Sequence, residues 1–257
     1  MRLFLPRLLL LFSLTFSAAI AAQELPQRDP QAVAILQQSV AAMGGVVPSD
    51  SVAIGSVVIV AGLRTDSGTI RILSRGLDQA AERIQTSQGS RAVIYSRGQA
   101  NELEGSSVKS LQLELVVTSQ SPEFPLALLA GALNHSDTAL QYLGLETLAG
   151  LPAHHIRLWN TLLSTPRLRQ LAEFTVKELW IDASSRLPRK LAYDRRAARG
   201  AEPRIPVAVL FSDYRNVGGV VYPFRIEKWF NGTPWATITI QTVAFNTGLS
   251  DNDFPVQ

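Results

Sequence analysis

Three histidines, a few closely spaced acids and one dense run of arginines are the side chains of this sequence that could do chemistry. His154 and His155 are adjacent in a run of strand character, where neighbours point to opposite faces, so they make a poor metal pair and read as structural. His135 falls in a loop and reads as solvated. Asp251-Asn252-Asp253 offers oxygen ligands to a hard cation, but too few acids lie nearby, and a polar terminal turn is the better reading. Glu102 and Glu104 alternate along a strand and share a face, yet without a further acid at a cleft they read as a solvated edge. The serine nucleophile elbow, the phosphate-binding loop, the H-E-x-x-H helix and the dinucleotide fingerprint are all missing. No catalytic residue, metal ligand or cofactor is therefore predicted. A hydrolase with an unfamiliar site is the weaker reading.

The basic cluster Arg186, Arg189, Lys190, Arg195, Arg196, Arg199 and Arg204 reads first as a solvated loop. Contact with an anionic partner, such as an envelope protein or a headgroup, is the alternative. Nucleic acid is not expected, because the charge is nearly balanced in the mature chain. Residues 1–22 have a short positive start, an apolar run from Leu8 to Phe16 and a small-x-small end at Ala19-Ile20-Ala21, which is the pattern of a secretory signal peptide. Losing Arg2 and Arg7 with it leaves 22 basic residues against 21 acidic ones. No later segment is apolar for about 20 residues, so a soluble, periplasmic protein and not an integral membrane protein is expected after cleavage. The chain has no cysteine, so a secreted domain of this kind must hold together by its core alone. Residues 23–257 are long enough to do so as a single domain.

The elements that must position these side chains are mostly strands. Asp29-Pro30 starts a helix whose apolar stripe is Val33, Leu36, Val40 and Met43, and Gly44-Gly45 ends it. From Val52 to Val117 the pattern becomes a β meander: VAIGSVVIV, GTIRILS, RAVIYSRG and LQLELVV. Leu126 to Leu133 is apolar nearly all round and predicts a short helix, with Ser121 as its cap and Pro122 just inside. Further strands follow in TALQYLGLETL, AHHIRLW, VKELWIDAS and LPRKLAYD, with a short helix at Arg167 to Phe174 and a turn at Ala183-Ser184-Ser185-Arg186.

The last three strands fix a register. A two-residue turn at Gly218-Gly219 places Phe211 opposite Ile226. A three-residue loop, Asn231-Gly232-Thr233, then pairs Ile226 with Ile238 and Phe224 with Ile240, whereas a two-residue turn would flip one strand to the wrong face. One face carries Val209, Phe211, Phe224, Ile226, Phe230, Ile238 and Ile240; the other carries Arg215, Arg225, Glu227, Trp229, Thr237 and Thr239. Pro223 marks an edge or a bulge, and bulges bend sheets. The expectation is an α+β fold: a curved antiparallel half-barrel sheet with helices covering the concave face.

Gly150 to Leu158 (GLPAHHIRL), Lys177 to Asp182 (KELWID), Leu187 to Leu191 (LPRKL), Phe211 to Pro223 (FSDYRNVGGVVYP) and Thr237 to Phe254 occur in an order that resembles the bacterial periplasmic lipoprotein-carrier superfamily, LolA/LolB-like, with its outer-membrane lipoprotein-sorting relatives. The resemblance spans residues 145–256. It implies a half-open barrel, closed by helices, whose apolar interior receives acyl chains. On that expectation Phe211, Phe224, Ile226, Phe230, Ile238 and Ile240 line the wall, and Leu126, Leu129 and Leu133 belong to a movable cover. The partner is then an acylated lipoprotein or lipid, and the alternative is an envelope regulatory or scaffold module that binds a protein.

Overall fold

The computed structural model describes residues 27–113, 116, 124–196 and 204–256. The leader, the expected cap Ser121-Pro122 and the middle of the arginine-rich loop, Arg199 included, lie outside them. One helix, α1 (Pro30–Ala42), precedes six strands: β1 (Asp50–Ala61), β2 (Arg64–Arg75), β3 (Gln79–Thr86), β4 (Gly89–Ser96), β5 (Gln99–Glu104) and β6 (Ser107–Ser110). Helix α2 (Pro125–Asn134) leads to β7 (Thr138–Leu148) and β8 (Leu151–Asn160). A 3-10 segment at Pro166–Thr175 is followed by β9 (Lys177–Asp182), β10 (Pro188–Arg196), β11 (Arg204–Val217), β12 (Val220–Phe230) and β13 (Thr233–Phe245).

All thirteen strands form one antiparallel sheet, in the order β6-β5-β4-β3-β2-β1-β13-β12-β11-β10-β9-β8-β7. It is two meanders joined where the first strand pairs with the last. The chain therefore fans outward to one edge at β6 and must cross to the opposite edge at β7. Helix α2 lies on that crossing. The sheet is not closed, and the architecture is α+β as expected.

Curvature follows from one contact. Lys228 on β12 forms an ion pair with Glu82 on β3, four strand spacings away in the sheet order. In a flat sheet those backbones would be about 19 Å apart, more than the two side chains can span. The sheet must curl to bring them together. Bulges contribute: the register slips between Ile54 and Gly55 on β1, between Tyr142 and Gly144 on β7, and between Lys228 and Trp229 on β12. Gly55 sits at such a slip, where a Cβ would lie 2.2 Å from the carbonyl oxygen of Thr239.

The last slip corrects the expected loop. Phe230 pairs with Thr233, so Asn231-Gly232 is a two-residue turn, with both residues at positive φ (49° and 73°) as the type I′ geometry requires. The bulge near Trp235 then restores the register that pairs Ile226 with Ile238. Phe211 faces Ile226 as the Gly218-Gly219 turn predicts. A second correction concerns LQLELVV. Leu113 and Val116 are helical, and the amide of Val116 donates to the carbonyl of Gln112. Leu113 and Val116 stand three apart, a spacing that suits a helix face, so alternation of Leu111, Leu113 and Leu115 over so short a run misleads.

Each sheet face carries an apolar cluster, built by different means. On one face, Ile35 and Leu36 of α1, its C-cap Met43, and Leu126 and Leu129 of α2 join the inward side chains of the sheet in one apolar cluster. On the other, the chain beyond β13 folds back, and Phe254 packs with Leu73, Ala81 and Ile94. Asp50 directs that return: its carboxylate accepts from the amides of Thr247, Gly248 and Leu249 and from the Thr247 hydroxyl. Asp251 then accepts from Arg75 and Arg97, so the terminal acids are matched by arginines.

Candidate functional site

The apolar face is built by alternation. On β12, Phe224, Ile226, Lys228 and Phe230 point the same way; on β13, Ala236, Ile238 and Ile240 do. Phe211, Phe224, Ile226, Ile238 and Ile240 are each no more than 5% exposed and belong to the same cluster as Leu126 and Leu129 of α2, both fully buried. Phe230 and Leu133 are partly buried against it. All nine residues singled out in the sequence thus come together. Phe230 stands at the rim, edge-on to Trp235 at 5.0 Å.

The helices are tied to this face at both ends. Asp29 caps α1 by accepting from the Gln31 amide at 2.8 Å, and its other carboxylate oxygen accepts from the Tyr142 amide of β7. At its far end the Met43 carbonyl accepts from the Val221 amide of β12. Gly44, at φ 111°, lies so close to the β11–β12 turn that a Cβ would sit 2.3 Å from the Gly219 oxygen. Helix α2 starts at Phe124, whose ring stacks on Tyr222 at 5.3 Å. Its last turn presents the carbonyls of Ala132, Leu133 and His135 to the guanidinium of Arg28, at 2.9–3.3 Å. Arg28 therefore fastens the end of α2 to the segment that enters α1. No motif in the sequence marks it, because the partner is backbone from a distant element.

Charge on this face is sparse and specific. Arg215 lies over the ring of Phe224 at 4.5 Å and is paired with Asp213. It belongs to the apolar face, not the wet one, since Phe211 and Arg215 are an even number of positions apart along β11. Lys228 is matched by Glu82 in a nearly buried pair. Lys177, inward on β9 with Leu179 and Ile181, is 7% exposed. Burial pushes its ammonium down to about 8. Neither lysine was singled out from the sequence, although alternation carries the signal: they occupy inward positions in F-x-I-x-K-x-F and K-x-L-x-I.

The opposite face of β7–β10 holds the histidine chemistry. His155 contacts Glu146 at 2.8 Å through Nδ1 and Glu178 at 3.0 Å through Nε2, and stacks on Trp180 at 4.2 Å. Trp180 donates to Glu146, and Lys190 sits over the Trp180 ring. His154 points the other way, to Tyr142 and Arg186. The pair divides between faces as predicted. Hydrogen bonds from Trp180 and His155 hold the Glu146 carboxyl below its ordinary range. This is a satisfied polar cluster, each group occupied by a neighbour.

Four described members of the basic cluster are also engaged within the chain. Arg186 meets His154, Arg189 donates to the Leu148 carbonyl, Lys190 covers Trp180, and Arg204 lies 3.6 Å from Asp194. A cleft of about 510 Å³ runs beside them, lined by Arg157, Glu173, Glu178, Asp194 and Arg204 among others. A second, of about 360 Å³, lies among β1–β5. Neither is lined by any of the nine apolar residues. Among the described residues no helix is long and apolar enough to cross a membrane.

No protein-family model matches the sequence, and no curated protein matches it. Solved structures do match its fold. A domain assigned as an outer membrane lipoprotein-sorting protein, from Vibrio parahaemolyticus, superposes with a TM-score of 0.58 at 15% identity, covering 87% of this chain and 96% of that one. A LolA superfamily protein from Nitrosomonas europaea gives 0.57 at 15% identity, with 88% and 97% covered. A DUF1329 family protein from Desulfovibrio piger gives 0.54 at 12% identity, with 87% and 97% covered. The chain has a LolA-like fold over nearly all of its described length.

Proposed function

We propose that this chain is a periplasmic binding or carrier protein for lipoproteins or other acylated molecules, with residues 1–22 directing export and 23–257 acting as one domain. The acyl chain occupies the wall formed by Phe211, Phe224, Ile226, Phe230, Ile238 and Ile240 once α2 moves aside. The observation that carries this is the convergence of those residues with Leu126, Leu129 and Leu133 in a single cluster between helix and curved sheet. The fold shared with a lipoprotein-sorting domain and a LolA superfamily protein supports it.

The physical requirement is simple. Each methylene removed from water contributes about 0.8 kcal/mol, so a fourteen-carbon chain costs on the order of 10 kcal/mol to carry exposed. A soluble shuttle needs an apolar face of that extent and a cover that can leave it. Helix α2 itself fills the face: Leu126 and Leu129 are fully buried there and must give way to the hydrocarbon. Opening must release Arg28 from the α2 carbonyls and Phe124 from Tyr222, and must expose Leu126 and Leu129.

The test is uptake of acyl probes and synthetic lipopeptides by delipidated protein, with native mass spectrometry of protein drawn from its own envelope. Stoichiometric acyl binding, weakened by polar substitution at Ile226 or Ile238, is expected. Absence of both probe uptake and co-purified lipid would end the carrier reading.

A further inference from the structure

Only four lysines occur in the chain, and two of them, Lys177 and Lys228, are buried on the apolar face. They are not equivalent. Lys228 meets the Glu82 carboxylate. Lys177 is 7% exposed, and among the described residues no carboxylate pairs with it. Its cross-strand neighbours are Leu158 on β8 and Tyr193 on β10, neither charged at neutral pH. A nearby carboxylate would hold the ammonium up, whereas here burial alone acts and lowers it to about 8. At pH 7 the side chain is therefore still mostly protonated, a cation set in an apolar wall without a counter-ion. That arrangement is costly, and an incoming anion offsets the cost.

We infer that Lys177 receives the anionic oxygen headgroup of the bound amphiphile, so that the ligand is an acyl chain ending in a carboxylate or a phosphate. This rests on reading the face as an acyl-binding wall, and it narrows the ligand class. The position suits it. Lys177, Tyr193, Val207 and Phe230 follow one another across β9, β10, β11 and β12, so the ammonium lies in the same transverse row as the rim residue Phe230. Arg195, two positions beyond Tyr193 on β10, adds a second cation at that end of the face. Hydrocarbon then extends from this row toward Ile226, Phe224 and Ile240, and the headgroup stays where the charge is. Lys228 contributes no such site, because Glu82 already occupies it.

The experiment titrates delipidated full chain with laurate, dodecyl phosphate and 1-dodecanol, which share a tail and differ in the head. Wild-type protein should prefer the anions over the alcohol by on the order of ten- to a hundredfold, the range of one charge-assisted hydrogen bond. Lys177→Met should bring both anions down to the affinity of dodecanol, and Lys177→Arg should keep the preference. The tighter of the two anions identifies carboxylate or phosphate. If wild type shows no preference, or Lys177→Met retains it, the headgroup assignment is overturned while acyl binding stands. If none of the three compounds binds, the carrier reading fails and the assignment with it.

Discussion

Lys228 on β12 and Glu82 on β3 form an ion pair on the apolar face, with side chains 11% and 14% exposed. Both occupy inward positions of their strands, and only the curl of the sheet lets them meet. Removing one partner leaves the other charge desolvated and unmatched. Glu82→Gln should therefore cost about 3–5 kcal/mol. The double change Glu82→Leu with Lys228→Met should recover most of that loss, because an apolar pair of similar volume asks for no counter-ion. Urea unfolding of the single and double variants measures both. Equal losses in the two would mean that the groups do not act as a pair.

Lys177 gives a prediction whose sign is fixed by its proton binding. Its pKa is 10.5 in the unfolded chain and about 8 in the folded one, so between those values the unfolded state holds more protons and stability rises with pH. Below pH 8 the penalty is complete, about 3 kcal/mol for a shift of this size. Lys177→Met should accordingly stabilise the protein at pH 7, and the gain should shrink as pH rises through 8 toward 10.5. Comparing urea midpoints of the two proteins at pH 7 and pH 10 cancels titrations common to both. A gain independent of pH would show that the ammonium is not the source of the cost.

Phe254 is 2% exposed in the second apolar cluster, on the face opposite the proposed binding wall. Phe254→Ala should destabilise by about 3–5 kcal/mol through the cavity it leaves. Acyl uptake should be unaffected under conditions where the variant is folded, since the sheet separates the two clusters. Thermal unfolding and probe titration on one sample check both statements, and a binding loss without unfolding would contradict the division of labour between faces.

Much of the fold could be read from periodicity. The α1 stripe, the α2 helix, the Gly218-Gly219 hairpin and the register between Ile226 and Ile238 follow from local spacing and turn chemistry, and the structure contains them. What was not legible is long-range. β3, in QAAERIQT, is a strand without β-branched bias, held by its neighbours rather than by its own composition. Nothing local says that β1 pairs with β13, nor that Arg28 meets the end of α2. Lys177 and Lys228 were readable as inward residues, but which of them finds a carboxylate depends on curvature. Arg215 was misassigned for a local reason: parity along β11 places it with Phe211. The polar turn of Asp251–Asp253 was read as a turn, while the core role of the adjacent Phe254 depends on a chain reversal that Asp50 enforces.

The absence of cysteine permits a clean test of whether α2 must move. Gly131 of α2 approaches the β2–β3 turn, where a Cβ added to it would lie 3.3 Å from the nearest side-chain carbon of Leu77. Cysteines at these two positions, Gly131→Cys with Leu77→Cys, are the only thiols in the chain, and a short bis-methanethiosulfonate reagent oxidises both to mixed disulfides that bridge the helix and the sheet. Oxidation should pin α2 against the apolar face without touching Phe224, Ile226 or Ile238. If the helix is a cover, the oxidised protein takes up no acyl probe, and reduction with dithiothreitol restores uptake to the wild-type level. Thiol titration confirms the bond, and the reduced form controls for the substitutions themselves. Equal uptake by the oxidised and reduced forms would show that hydrocarbon reaches the face with α2 in place, and the movable-cover reading would have to be abandoned.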